Sequence, residues 1–233
     1  MHEDGEIDSS ALYMIKQDPA LISVMTANNE VGTIEPIDAI AKECKRKGVL
    51  FHTDAVQAFG KIPIDVKKTP IDFMSISGHK IGAPKGIGAL YIREGTRIEP
   101  LIDGGHQENG MRGGTENVAA IVGFGAACEV AKANMEKESE RLTSLSEYLI
   151  SNALSDIKGI HLTGSRHNRI PGHCSFVVDG VEGEVLQMLM DMDGICVSTG
   201  SACSSGTGTL SHVIKACGYT NEQANGIIRI SFG

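Results

Sequence analysis

Several things are missing from this sequence, and each absence removes a class of function. Among its 233 residues Lys and Arg number 21 against 29 Asp and Glu, a net charge of −8. It therefore has no basic footprint, and nucleic acid is not expected as a partner. No stretch approaches eighteen unbroken apolar residues, so no membrane span is expected. The opening MHEDGEID is acidic and polar, unlike a secretory signal. No C-x-x-C pair and no His/Cys metal spacing occurs, so no resident metal is expected. Internal repeats and low-complexity segments are also lacking. Six cysteines remain, at 44, 128, 174, 196, 203 and 217. In a long chain without an export signal they are expected as reduced thiols of a cytoplasmic protein, each by default a small buried hydrophobe.

What is present reads as alternating strands and helices. LISVMT (21–26) and VLFHT (49–53) are short apolar runs of the kind buried on both faces of a sheet. Between them Ile37, Ile40, Ala41 and Cys44 recur at helical spacing, with Pro36 at the start and Gly48 past the end. IDFMSIS (71–77) and IGALYIR (87–93) add two strands, so the order predicts βαβ units and a mostly parallel sheet with flanking helices. Residues 116–154 read as one long helix. Beyond about Gly159, CSFVVDG, GICVSTG and IIRISFG read as strands, with GEVLQMLMDM and LSHVIKACG as helices. The expected organisation is a large domain over 1–125, a connecting helical region over 126–158, and a small α/β domain over 159–233.

Five stretches bear chemistry. In SISGHKIGAPKGIGALY (75–91) a strand runs into Ser77-Gly78-His79-Lys80 and a glycine-rich turn. A lysine so presented can form an imine with an aldehyde cofactor, although most lysines are simply solvated. In FHTDAVQAFG (51–60), Asp54 ends a strand, where open α/β sheets bind ligands. Its carboxylate can pair with a protonated pyridine nitrogen, and Gln57 can donate to a phenolate oxygen. Asp54 as a helix N-cap is the alternative. His52 reads as a packed strand residue. TANNEVGTIEPI (26–37) puts Asn29 in a loop after a strand, where turn chemistry alone would also place it. GGHQENGMRGGTENV (104–118) leads a glycine-rich loop and Thr115 into a helix, a plausible anion site but weak by itself. Finally, Ser198 to Gly208 contains only Ala202 and Cys203 as apolar residues. Such a run offers little burial for a thiol, so Cys203 is expected exposed and reactive.

Taken together, T-A-N-N-E-V-G-T, H-T-D-A-V-Q, S-G-H-K-x-G-x-P-K-G, G-G-x-Q-E-x-x-x-R-G-G-T and S-x-G-S-A-C-S-S-G fall in one order. The chain resembles the NifS/IscS-type cysteine desulfurases, in the class V branch of the fold-type I enzymes that use pyridoxal 5′-phosphate (PLP). The resemblance implies an α/β transferase fold with a smaller C-terminal α/β domain. It implies Lys80 as the imine-forming lysine and general acid/base, Asp54 on the pyridine nitrogen and Gln57 on the phenolate. Ser77 and His79 would contact the phosphate, and Thr115 the phosphate of a neighbouring subunit in a homodimer. Asn29 and Arg229 would bind the substrate carboxylate, for which an arginine fork is suited. Cys203 would accept sulfur from L-cysteine and pass it to an acceptor or scaffold protein for iron–sulfur assembly or tRNA thiolation, with contact to a cluster possible during transfer. Selenocysteine lyase and class V aminotransferase activity are the neighbouring alternatives. The family's N-terminal segment and the helix after R-I-S-F-G have no counterpart here. A fragment that binds PLP weakly or not at all, and is inactive by itself, is therefore also expected.

Overall fold

The computed structural model describes residues 2–8, 10, 20–200 and 210–233. Its first sheet has the order β1 (Leu21–Met25), β2 (Leu50–Asp54), β3 (Phe73–Ser77), β4 (Gly88–Ile92). The first three strands are parallel, with Met25 opposite Asp54 and Asp54 opposite Ser75, and β4 runs antiparallel to β3. Helix α1 (Ile37–Lys47) makes the crossover from β1 to β2 and closes on a left-handed Gly48. Its inward residues Ile40, Ala41 and Cys44 pack with Phe51, Ile71 and Met74. That burial is the main stabilisation of this half.

The strands are buried on one face only, not on both. Leu21, Met25, Leu50 and Leu90 are exposed on the opposite face. The apolar run hid a period of two: Ser23, His52, Asp54, Ser75 and Ser77 all share that exposed face with them. His52 bonds Ser23 Oγ through Nδ1 (2.7 Å) and Ser75 Oγ through Nε2 (2.9 Å), lacing three strands together. Its role as a packed strand residue follows from this.

The second sheet is antiparallel, β5 (Ile160–Leu162), β6 (His173–Val178) and β7 (Ile227–Ser231), in that order. Central β6 is covered on both sides. Ile150 and Ala153 pack against Cys174, Phe176 and Ile228 on one face. Val31, Ile214, Cys217 and Ala224 pack against Val177 and Ile227 on the other. Val31 comes from the loop after β1, so the first sheet's loop is part of the second sheet's core. GEVLQMLMDM forms α3 (Gly183–Met192) as expected. Short α4 (His212–Ala216) and α5 (Asn221–Asn225) follow, capped by Ser211 and Thr220. GICVSTG does not form the expected strand. It pairs at one residue only, Ser198 with Arg229, between the positive-φ residues Gly194 and Gly200.

Helix α2 (Val118–Asp156) joins the two sheets, two residues displaced from the expected 116–154. Asn117 caps it by accepting from Ala120 N at 3.2 Å. At 1.5 Å per residue it is about 58 Å long. Gly123 lies against Pro84 near its start, and Ile150 and Ala153 reach the second sheet near its end. By length and composition alone α2 is long and apolar enough to cross a membrane, although it contains no unbroken run of eighteen apolar residues.

Glu35, buried on the loop after β1, accepts from Ile7 N at 2.8 Å and ties down residues 2–8. Burial pushes its carboxyl up from 4.5 to about 6. The folded state thus holds a proton there that the unfolded state has lost. Stability from this group is complete below pH 4.5 and falls as pH rises through about 6. Urea unfolding at a series of pH values should show this slope, and Glu35→Gln should flatten it; an unchanged slope would contradict the assignment.

Candidate functional site

Parallel strands bring their carboxyl ends to one side, and the candidate residues gather there. Asp54 ends β2 and is exposed; its Oδ1 accepts from Val56 N at 2.8 Å. Ala58 N and Phe59 N both donate to Ala55 O, so the chain beyond Asp54 is a tight turn rather than a regular helix. Asp54 therefore caps a turn, and Gln57 sits half-buried on it. One strand over, β3 ends at Ser77, and the 3-10 turn Gly78–Ile81 presents His79 and Lys80. Ser77 Oγ and His79 Nδ1 are 2.7 Å apart. Gly78 N to Ile87 O (2.9 Å) and Ala83 N to Gly78 O (3.1 Å) fix that turn. Asp54 and Lys80 thus share one end of one sheet, as the strand pattern predicted, although 26 positions separate them. Thr115 is exposed ahead of α2. Among the described residues no side-chain hydrogen bond ties it to the Lys80 turn.

Lys61 joins this group without any forewarning in the sequence. Its neighbour Gly60 adopts φ 78, and a Cβ there would meet Ile81, beside Lys80, at 2.7 Å. The Lys61 segment is therefore seated directly on the Lys80 turn. Burial lowers the Lys61 amine below its ordinary 10.5, and the charges of Lys80 and Arg229 lower it further. Three cations from three segments thus face one region, which favours an anion.

Asn29 and Arg229, separated by 200 residues, are brought into contact: Arg229 Nη1 donates to the Asn29 carbonyl at 2.8 Å. The contact is through Asn29's main chain. Its neighbour Asn28 shapes the turn, with Oδ1 accepting from Glu30 N (2.8 Å) and Val31 N (3.1 Å). His173 and Arg169, which no sequence motif marks, pack beneath this turn. R-I-P-G-H held no pattern that set them apart.

Cys203 lies outside the described residues. The residues flanking its segment converge on Glu30, which is buried next to Asn29. Ser211 Oγ donates to Glu30 Oε2 at 2.5 Å. A Cβ on Gly200 would stand 3.6 Å from the same oxygen. Ser198 also exchanges both backbone hydrogen bonds with Arg229, at 3.0 and 2.6 Å. Of the other cysteines, Cys44, Cys174 and Cys217 are buried as expected, and burial raises all three thiols, Cys217 to about 11. Cys128 is half-buried, and Cys196 is exposed rather than buried. Its GICVSTG segment pairs with β7 at a single residue, which leaves Cys196 uncovered. Among the described residues no cluster suited to a metal ion occurs.

The family model described as "Aminotransferase class-V" matches residues 1–233. The cysteine desulfurase IscS of Dictyoglomus turgidum is 50% identical over 231 residues, 99% of this chain and 59% of that protein. The cysteine desulfurase NifS of Azotobacter vinelandii is 44% identical over 218 residues, 94% of this chain and 54% of its own. The chain thus spans little more than half the length of these relatives. Among solved structures, a NifS-like protein from Rickettsia africae superposes with a TM-score of 0.91 at 33% identity, covering 100% of this chain and 63% of that one.

The charge arrangement gives a direct expectation for Lys61. Competitive acetylation followed by peptide mass spectrometry should find its amine titrating below 10.5. Lys80→Met should move it back toward that value by removing one neighbouring cation. Ordinary lysine behaviour in both proteins would refute the proximity.

Proposed function

The chain belongs to the class-V aminotransferase family, and on that footing we propose that the protein is a cysteine desulfurase, converting L-cysteine to L-alanine and leaving a persulfide on Cys203. The supporting observation is the convergence at Arg229. Its side chain holds the Asn29 loop, and its backbone pairs with Ser198, five residues before Cys203. Asn29, Arg229 and the flanks of the Cys203 segment are therefore one assembly, on the side of the sheet where the strands bearing Asp54 and Ser77 end. The desulfurase names of relatives up to 50% identical support the same reading.

The donor set fits pyridoxal phosphate: an exposed amine for its aldehyde, a carboxylate one strand away for its ring nitrogen, and the Ser77–His79 pair for its phosphate. When bound, this cofactor stores the electron pair released at the substrate's α-carbon. Asp54 would hold the ring nitrogen protonated, and Gln57 would donate to the phenolate oxygen. Lys80 Nζ would take the α-proton and return it. Arg229 and Asn29 would bind the substrate carboxylate, fixing which bond at the α-carbon faces Lys80. The Cys203 thiolate would then attack the substrate sulfur. The S–S bond forms as the Cβ–S bond breaks, its electron pair stays with Cβ, and Cβ takes up a proton to become the alanine methyl. In sum, two thiols give one persulfide and one methyl group, with no external oxidant. We further propose a cytoplasmic homodimer that passes the sulfur to an acceptor protein; the free thiols suit such a compartment.

In a protein of the relatives' full length, Cys203→Ser should abolish alanine and sulfide production from L-cysteine with the cofactor still bound. Lys80→Ala should reduce turnover by about 10²–10⁴-fold. Borohydride reduction and peptide mapping should place a pyridoxyl group on Lys80. Near-normal alanine production by Cys203→Ser, or a label on Lys61 or Lys85, would require the reading to be withdrawn.

A further inference from the structure

The imidazole of His173 is the second group on the Asn29 carbonyl. His173 begins β6 and is 6% exposed. Its Nε2 lies 3.3 Å from Asn29 O, the oxygen that Arg229 Nη1 also binds at 2.8 Å. Its Nδ1 faces Arg169 Nη1 at 3.5 Å. A guanidinium can only donate, so Nδ1 must be the acceptor, and the ring proton must sit on Nε2, directed at Asn29 O. Arg169 is in turn locked in place by main-chain carbonyls: Nε donates to Ser165 O (2.8 Å), Nη1 to Val31 O (2.8 Å) and Nη2 to Thr163 O. Gly32 packs against the His173 ring: a Cβ there would stand 2.5 Å from Nδ1, at a φ of 78.

We propose that His173 is a positioning residue for the carboxylate-binding pair: as the neutral Nε2–H tautomer it holds the Asn29 carbonyl against Arg229 and so sets the spacing between the loop after β1 and strand β7. This rests on the proposed roles of Asn29 and Arg229. The groups of charge that face the ring are Arg169, Arg229 and Lys61, all cationic, and burial with these neighbours lowers the imidazole to about 3. Protonation would place a second N–H against Arg169; burial and the three cations oppose it and outweigh the Asn29 hydrogen bond, which favours it. Asn29 and Arg229 have no backbone continuity; Val31, packed in one cluster with Ile227, brings the loop to β7, and the two donors on one carbonyl fix the spacing at Asn29.

Nitrogen NMR of the protein with 15N-labelled histidine tests the tautomer without any turnover. The His173 signals should be those of a protonated Nε2 and a bare Nδ1, unchanged from pH 8 to pH 5. An Nδ1–H pattern, or titration near 6.5, would overturn the proposal. Kinetics supplies the functional arm. His173→Leu should raise the KM for L-cysteine by about tenfold, the weight of one buried hydrogen bond, with kcat little changed. His173→Gln, which retains a donor, should recover most of that loss and gives the reading if the Leu variant does not fold. Equal KM values in wild type and a folded Leu variant, or no recovery with Gln, would overturn the proposal. A wild type of the relatives' full length that makes no alanine would instead sink the desulfurase reading alone. The clamp would then be judged on the tautomer, and on whether the Arg229 guanidinium signals shift in His173→Leu and return in His173→Gln.

Discussion

The loop after β1 holds the two halves of this molecule in register, and its Asn29 carbonyl oxygen is the point that takes two donors from the second sheet. The parallel sheet supplies the oxygen from the loop after β1, and the antiparallel sheet supplies both donors, Arg229 from β7 and His173 from β6. Around it the same loop sends Val31 into the second sheet's core and Glu30 to the flanks of the Cys203 segment. A carbonyl has two lone pairs, so accepting two donors satisfies it fully in a buried setting where one would leave capacity unused. The side-chain chemistry on both sides of this joint depends on the spacing it imposes.

The first sheet is built with a division of labour between its faces. One face is apolar and covered by α1, and that burial supplies stability. The other carries Ser23, His52, Ser75 and, at the strand ends, Asp54 and Ser77. Because the pleat alternates, each strand contributes to both faces without compromise. The polar lacing by His52 keeps three strands aligned just below Asp54. The carboxylate thus stands on a braced support rather than on a free loop.

Much of this was visible in the residues. Asp54 and Lys80 could be placed at one sheet end because a βαβ order demands parallel strands and β3 then ends where β2 ends. Helix α1 was legible from Pro36 and Gly48, and α3 from its continuous apolar spacing. Other features were hidden because they arise only when distant segments meet. LISVM looked buried on both sides, since an apolar run masks a period of two. GICVSTG had strand composition, yet pairs at one residue. Lys61 and His173 carry no local signature at all; their character comes from Lys80, Arg229 and Arg169, which lie far away in sequence. Cys203, by contrast, stood out through composition alone, and the structure speaks only to its flanks.

The joint at Asn29 also has a consequence in time. Arg229 follows Asn29 by 200 residues. At about 5–20 residues per second, a ribosome needs roughly 10–40 s to make the chain between them. For most of that interval the Asn29 carbonyl has emerged without either donor, since His173 follows it by 144 residues and Arg229 by 200. The first sheet can form early; its loop first gains Asn168, Arg169 and Ile170, which bond Ile34, Val31 and Gly32, and gains Arg229 only when β7 is synthesised. A nascent chain of this protein therefore passes through a stage in which Asp54 and Lys80 have emerged and the Asn29–Arg229 contact has not yet formed.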